Sequence, residues 1–191
     1  MRDIIVTEFI SLDGVIEAPG GEHGYRHTGW TFDIDEDPTM YEFKVRETFE
    51  AEAQLLGRRT YEGFAAAWPE REGDFADRFN TMPKYVVSST LTDSTWTNTS
   101  VLRSLDEVAE LKATDGGPML VAGSATLVQG LHKAGLVDQW NLMVFPVILG
   151  SGRRLFPTDA EDKVKLRLVD TTTYANGVQL QVLRPEAGDK S

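Results

Sequence analysis

The sequence predicts an α/β fold, and three observations carry that expectation. Apolar, β-branched runs alternate with segments of helical period along most of the chain. A strand–glycine–helix arrangement occurs twice, at 55–61 and again at 121–127. The chain closes on two strand-like runs, 164–174 and 178–183, around Asn176-Gly177, the strongest short hairpin signal.

The 191 residues are enough for one domain with a sizeable core, placed at 1–185 with 186–191 as a frayed tail. Hydrophobic residues make up 41% of the chain, as in globular proteins. A net charge of -11 opposes nonspecific binding to nucleic acid or to an anionic membrane, both of which need a basic face. The absence of cysteine excludes disulfides, thiolate zinc sites and cysteine nucleophiles, and fits a reducing cytoplasm. The N-terminus shows no signal-peptide layout, and no apolar run reaches membrane-spanning length.

Residues 3–10 read as a central, buried strand. Ser11-Leu12-Asp13-Gly14 interrupts it before Val15-Ile16, a break that either aims backbone groups at a ligand or is a simple bulge. Residues 18–36 form a long glycine- and proline-rich loop carrying Tyr25, Trp30 and Phe32, read as a ligand lid or as aromatics folded back onto a satellite core. His23 and His27 have the spacing of helical metal ligands, but their glycine-rich flanks oppose a helix, and a plain loop is expected.

Asp37-Pro38 is an N-cap followed by proline at the first helical position. The helix is expected to run to about Ala53 with Tyr41, Val45, Phe49 and Ala53 as its buried stripe and Glu42 at the stripe's edge. Leu55-Leu56-Gly57-Arg58-Arg59-Thr60-Tyr61 then reads as strand end, tight turn and helix start. Free helix N–H groups there can face an anion, with two guanidinium forks suited to phosphate, or the stretch is a plain strand-to-helix corner with solvated arginines. A short helix ends near Trp68-Pro69, and a polar segment leads to a strand from Lys84. The hydroxyls of Ser88 and Ser89 at its end can bond a phosphate or cap a turn. Residues 96–102 are a further short strand, and Ser104 with Glu107 makes a capping box. Residues 118–122 are buried strand, and Gly123-Ser124-Ala125-Thr126 opens a helix, a seat for a pyrophosphate. It is not G-x-G-x-x-G, so the dinucleotide fingerprint of that fold is absent. Residues 139–149 form a long apolar strand, whose run 142–149 with the 150–152 loop after it is open to reading either as a sheet edge used in dimerisation or as a covered strand. Residues 150–157 follow as a basic glycine loop.

Taken together, Ser11-Leu12-Asp13-Gly14, Leu56-Gly57-Arg58-Arg59-Thr60-Tyr61, Val87-Ser88-Ser89, Val121-Ala122-Gly123-Ser124-Ala125-Thr126-Leu127 and Pro146-Val147-Ile148-Leu149-Gly150-Ser151-Gly152-Arg153-Arg154-Leu155-Phe156 stand in an order that resembles the dihydrofolate-reductase-like superfamily. The branch it is most similar to holds the C-terminal reductase domain of bacterial riboflavin-biosynthesis deaminase/reductases and its small stand-alone relatives. The resemblance implies a central, mixed but mostly parallel sheet flanked by helices and ending in an antiparallel hairpin. It also implies an NADPH-dependent reductase acting on a small heterocycle, and a homodimer. By position, Gly57, Arg58, Arg59 and Thr60 would meet the phosphates and the 2′-phosphoribose, and Ser88 and Ser89 the adenosine side. Gly123, Ser124, Ala125 and Thr126 would meet the pyrophosphate, and Leu12, Asp13, Gly14 and Ile16 the nicotinamide edge. A cis peptide frequent in the family would fall between Ala122 and Gly123. Trp30 and Tyr41 would border the substrate, and Glu42 would be the catalytic carboxylate. The chain lacks the histidine–glutamate and paired-cysteine signature of the deaminase half. It also lacks the arginine-histidine-leucine-arginine pattern that follows the first strand of riboflavin reductases, which leaves the substrate open. A pterin or folate reductase and a catalytically silent NADPH-binding module are the alternatives.

Overall fold

The computed structural model describes residues 1–156 and 163–186. Its frame is one eight-stranded sheet in the order β4-β3-β2-β5-β1-β6-β8-β7. The strands are β1 (Ile4–Ser11), β2 (Ala53–Gly57), β3 (Lys84–Val87), β4 (Thr99–Leu102), β5 (Met119–Ala122), β6 (Gln139–Phe145), β7 (Leu166–Thr173) and β8 (Gln179–Pro185). From β4 to β6 every pairing is parallel, whereas β8 runs antiparallel to both β6 and β7. The mostly parallel sheet with a terminal antiparallel hairpin is therefore as expected.

Five helices cover the sheet: α1 (Pro38–Glu50), α2 (Arg58–Ala67), α3 (Asp74–Thr81), α4 (Leu105–Ala113) and α5 (Ala125–Lys133). Alternation along the strands divides the core. Ile4, Val6, Leu55, Met119, Val121, Trp140 and Leu142 pack with Val108 of α4 and Leu127, Val128 and Leu131 of α5. On the opposite face, Leu56, Val86 and Leu120 meet Tyr61 of α2 and Phe79 of α3, while Met143 and Phe145 meet Met40 of α1 and Trp30.

Local chemistry explains the boundaries. Asp37 caps α1 by accepting the Thr39 N–H at 3.0 Å, with Pro38 as the first helical residue. The second Asp37 oxygen accepts the Ala175 N–H, which ties the helix start to the hairpin turn. Ser104 accepts the Glu107 N–H, and Glu107 reaches back to the Arg103 N–H. The hairpin turns through Gly177 at φ 87, a left-handed position suited to glycine. Pro146 follows the last residue of β6, so the strand is shorter than the apolar run to Leu149.

Two expectations are corrected here, and one open alternative is decided. Tyr41, Val45 and Phe49 do not form the buried face of α1; they are 40%, 41% and 48% exposed. The inner face carries Met40, Glu47 and Thr48, because its partners on the sheet include Thr7 and Asn141, which need polar groups opposite them. The helix also stops at Glu50, and Ala53 belongs to β2. The run 142–149 is not a sheet edge: β6 lies between β1 and β8, and the edges are β4 and β7.

Candidate nucleotide site

Two helix starts converge at the carboxyl end of the parallel strands. Gly57 and Ser124 are the N-cap residues of α2 and α5, and neither helix has a side-chain cap within its own first turn. The Ser124 hydroxyl instead accepts the Gly57 backbone N–H at 2.8 Å, so each cap is turned toward the other helix. Gly123 and Ser124 are both left-handed, at φ 63 and φ 67. A Cβ on Gly123 would stand 3.2 Å from the Thr60 hydroxyl oxygen, so glycine is what lets the turn approach α2. The first-turn amides left without side-chain caps form a candidate anion seat between the two helices. The peptide between Ala122 and Gly123 is trans, contrary to expectation.

Two arginines adjoin these helix starts. Arg58 donates to Glu62 at 2.6 Å and to the Thr90 hydroxyl at 2.7 Å, which links the start of α2 to the loop after β3. Arg59 is exposed and makes no ion pair among the described residues. Ser88 uses its hydroxyl oxygen to accept the Thr90 and Leu91 N–H groups, so it caps the turn, while Ser89 is exposed beside it. Arg103, which sequence reasoning missed, donates to the carbonyls of Ser88 and Leu91 and fixes that loop.

Next to the seat, the sheet opens. Pairing of β1 with β5 ends at Thr7 and Ala122, but pairing of β1 with β6 continues to Ser11. Residues 8–11 therefore run without a strand on the β5 side. Such crevices at strand carboxyl ends are where open α/β sheets hold ligands. The Ser11-Leu12-Asp13-Gly14 turn closes the far end. The Asp13 carboxylate accepts from the Ser11 hydroxyl at 2.7 Å and from the amides of Leu149 and Gly150. Burial alone would raise its pKa, but these hydrogen bonds outweigh that and hold it at about 2. Asp13 thus clamps the basic glycine loop to the turn; Leu12 is left 66% exposed, and Ile16 is buried. The spacing of an acid to a distant glycine loop gave no sequence signal for this clamp.

On the α1 side of the opening lies a polar cluster. Glu47 accepts from the Thr7 hydroxyl at 2.6 Å and from Asn141 at 2.9 Å, and pairs with Lys44 at 3.1 Å. Lys44 also donates to Thr7 and stands 4.9 Å from the centre of the Phe9 ring. The carboxylate of α1 that faces the first strand is therefore Glu47. Glu42 is exposed and lines a groove between α1 and the hairpin with Arg46 and Tyr174, among residues that include none of the turns above. Trp30 is also displaced from its expected role: it is 1% exposed, donates to the Glu17 carbonyl and packs edge-on against Phe145. That part of the long loop is a satellite core. Tyr41 borders a small cavity with Phe32, Met40 and Phe145. No cluster of metal-ligating side chains occurs among the described residues, and no described helix is long and apolar enough to cross a membrane.

Comparison with known proteins decides the family. The model of the RibD C-terminal domain matches residues 2–180. The chain belongs to the RibD C-terminal domain family. Within reach of it is YyaP of Bacillus subtilis (strain 168), an uncharacterized protein 28% identical over 186 residues, covering 93% of this chain and 92% of that protein. YwjB of the same organism, also uncharacterized, is 38% identical over 76 residues, 40% of this chain and 43% of its own. Two solved structures share the fold. A protein named for riboflavin biosynthesis from Shewanella sp. PV-4 superposes with a TM-score of 0.74 at 18% identity, over 97% of this chain and 99% of the other. Dihydrofolate reductase from Enterococcus faecalis, complexed with NADP(H) and RAB-propyl, superposes with a TM-score of 0.65 at 16% identity, over 96% of each chain. The RibD C-terminal family thus has here a dihydrofolate-reductase-like fold.

Proposed function

We propose that this RibD C-terminal family protein is an NADPH-dependent reductase of a small heterocycle. The observation that supports it most is the pairing of two helix starts without side-chain caps, joined through Ser124 and Gly57, beside the unpaired flank of β1. The donors present fit the group: amides for a pyrophosphate, Arg58 and Arg59 for a 2′-phosphate, and a crevice along residues 8–11 for a flat ring. When bound, NADPH supplies a hydride, which is its own chemistry.

The chain's residues do the rest. Gly57, Thr60 and residues 123–126 hold the phosphates. The Ser11–Asp13 clamp fixes the turn that borders the ring. Lys44 and Thr7 offer the heterocycle a cation and a hydroxyl on the α1 side, and Glu47 holds both in place. Placement of the two reactants and exclusion of water then carry the rate.

The test is the thermal midpoint with NADPH and with NADH at equal concentration. A ligand bound only by the folded state at about a hundred times Kd adds about 2.7 kcal/mol. A clear rise with NADPH and a small one with NADH is expected. No rise with either overturns the reading, and binding without NADPH oxidation across a pyrimidine and pterin panel leaves a nucleotide-binding protein without turnover.

A further inference from the structure

Glu8 is a carboxylic acid in an uncommon place. It lies on the central strand, on the face that carries Val6 and Ile10, at the first residue beyond the last β1–β5 pair. It is 5% exposed, and its Oε1 has no hydrogen-bond partner. A buried carboxylate oxygen left without a donor is costly, so such a group either stays protonated or awaits a partner. The charged groups around it are few. From α1 come Lys44, which favours its ionised form, and Glu47, which opposes it. The Gly123 amide at the pyrophosphate turn also favours the anion. Neither β5, β6 nor the first turn of α5 contributes a titratable side chain. Burial prevails and pushes the Glu8 carboxyl up to about 8. At neutral pH it is therefore mostly a neutral acid beside the crevice.

We propose that Glu8 is a proton-linked sensor of the nicotinamide ring, neutral against the uncharged reduced ring and ionised against the cationic oxidised ring. The inference rests on the nucleotide reading above. A positive ring placed near a buried, unpartnered carboxyl stabilises the carboxylate, since opposite charge favours the ionised form most where water is excluded. Oxidised nucleotide therefore binds with loss of the Glu8 proton, and reduced nucleotide binds without it. In a turnover the hydride carries two electrons to the heterocycle. Glu8 gives up one proton, which passes to the reduced heterocycle so that it gains a hydride and a proton together, and the O–H electron pair remains on the carboxylate oxygen. Release of the oxidised nucleotide lets Glu8 recover a proton from solvent.

Proton exchange in weakly buffered indicator solution at pH 7 tests this on the intact protein without any substrate. NADP⁺ is expected to release close to one proton per site more than NADPH does, a difference that cancels titration of the shared 2′-phosphate. In Glu8→Gln the difference is expected to vanish. The affinity for NADP⁺ should rise roughly 50-fold from pH 6 to pH 8 relative to that for NADPH, as release of nearly one proton per site requires, and in Glu8→Gln this ratio should stay flat. The infrared stretch of a protonated carboxyl, lost when NADP⁺ is added to the wild type, gives a readout independent of whether the variant folds. Both nucleotides binding with equal proton exchange overturns the role of Glu8 and leaves the cofactor reading intact. Binding of neither overturns both.

Discussion

The Ser124 hydroxyl accepts the backbone N–H of Gly57 at 2.8 Å, so the cap residue of one helix is spent on the cap residue of another. The bond sets the spacing of α2 and α5 and leaves their first-turn amides free for a ligand. Ser124→Ala is expected to lower stability by about 1 kcal/mol, the usual worth of one hydrogen bond. It should weaken NADPH by more than that loss of stability alone explains, because the amides are no longer held in register. Urea unfolding beside a nucleotide titration checks both; unchanged nucleotide affinity would remove the spacing argument.

Arg58 and Arg59 bear on the choice between nucleotides. Replacing both with alanine should weaken NADPH by about 10- to 100-fold, as expected for charge-assisted bonds to a phosphate, and NADH by far less. Arg59 alone should account for most of the loss, since Arg58 is already engaged by Glu62 and Thr90. Fluorescence titration of each nucleotide decides it, and equal weakening would sink the 2′-phosphate assignment.

Asp13 makes stability depend on acid. Its folded pKa, about 2, lies below the ordinary 3.8, so the unfolded chain binds the proton more readily. The stabilisation is fully present above about pH 4 and is lost as pH falls toward 2. Asp13→Asn is expected to cost about 2 kcal/mol at pH 7, in line with hydrogen bonds to a charged group. The gap between variant and wild type should narrow across that acid window. Denaturant midpoints measured from pH 7 to pH 2 test it; a gap independent of pH would mean that the charge is not what the clamp uses.

Glu47 and Lys44 form a buried pair whose halves depend on one another. Glu47→Gln should destabilise by about 3 kcal/mol, because it leaves the ammonium without its counter-charge. The double variant Lys44→Met with Glu47→Gln should recover part of that loss, since the amide oxygen still accepts from Thr7 and Asn141 and no ammonium is left without a counter-charge. A double-mutant cycle in urea gives the coupling. Additive losses would show that the two side chains act separately.

The architecture was readable because strand–helix alternation, the Asp37-Pro38 and Ser104–Glu107 caps and the Asn176-Gly177 turn are local signals that agree with one another. The helix starts of the site were readable for the same reason, since glycine after an apolar run marks the turn. What local pattern misreads is a helix whose inward face is polar. Tyr41, Val45 and Phe49 have perfect spacing for a core stripe, but the sheet beneath α1 presents Thr7 and Asn141, and those are known only once β1 and β6 are side by side. Spacing along α1 therefore points to Glu42, whereas the carboxylate that meets β1 and β6 is Glu47. For Trp30 the local sequence leaves a ligand lid and a satellite core equally open, because nothing in its own loop names Phe145, more than a hundred residues later, as its partner.

The position of β1 in the sheet also constrains the order of folding. Its neighbours are β5 and β6, with Ile4 opposite Met119 and Ile5 opposite Gln139. During synthesis β1 emerges ahead of the other strands of this sheet and has neither neighbour until the ribosome has delivered the strands that begin at Met119 and Gln139. A chain organised around so distant a pairing pays its loop-closure entropy late and folds slowly for its size. For that interval Ile4, Val6 and Ile10, buried in the finished sheet, have no strand to pack beside, which makes the nascent chain rather than the finished protein the form open to aggregation.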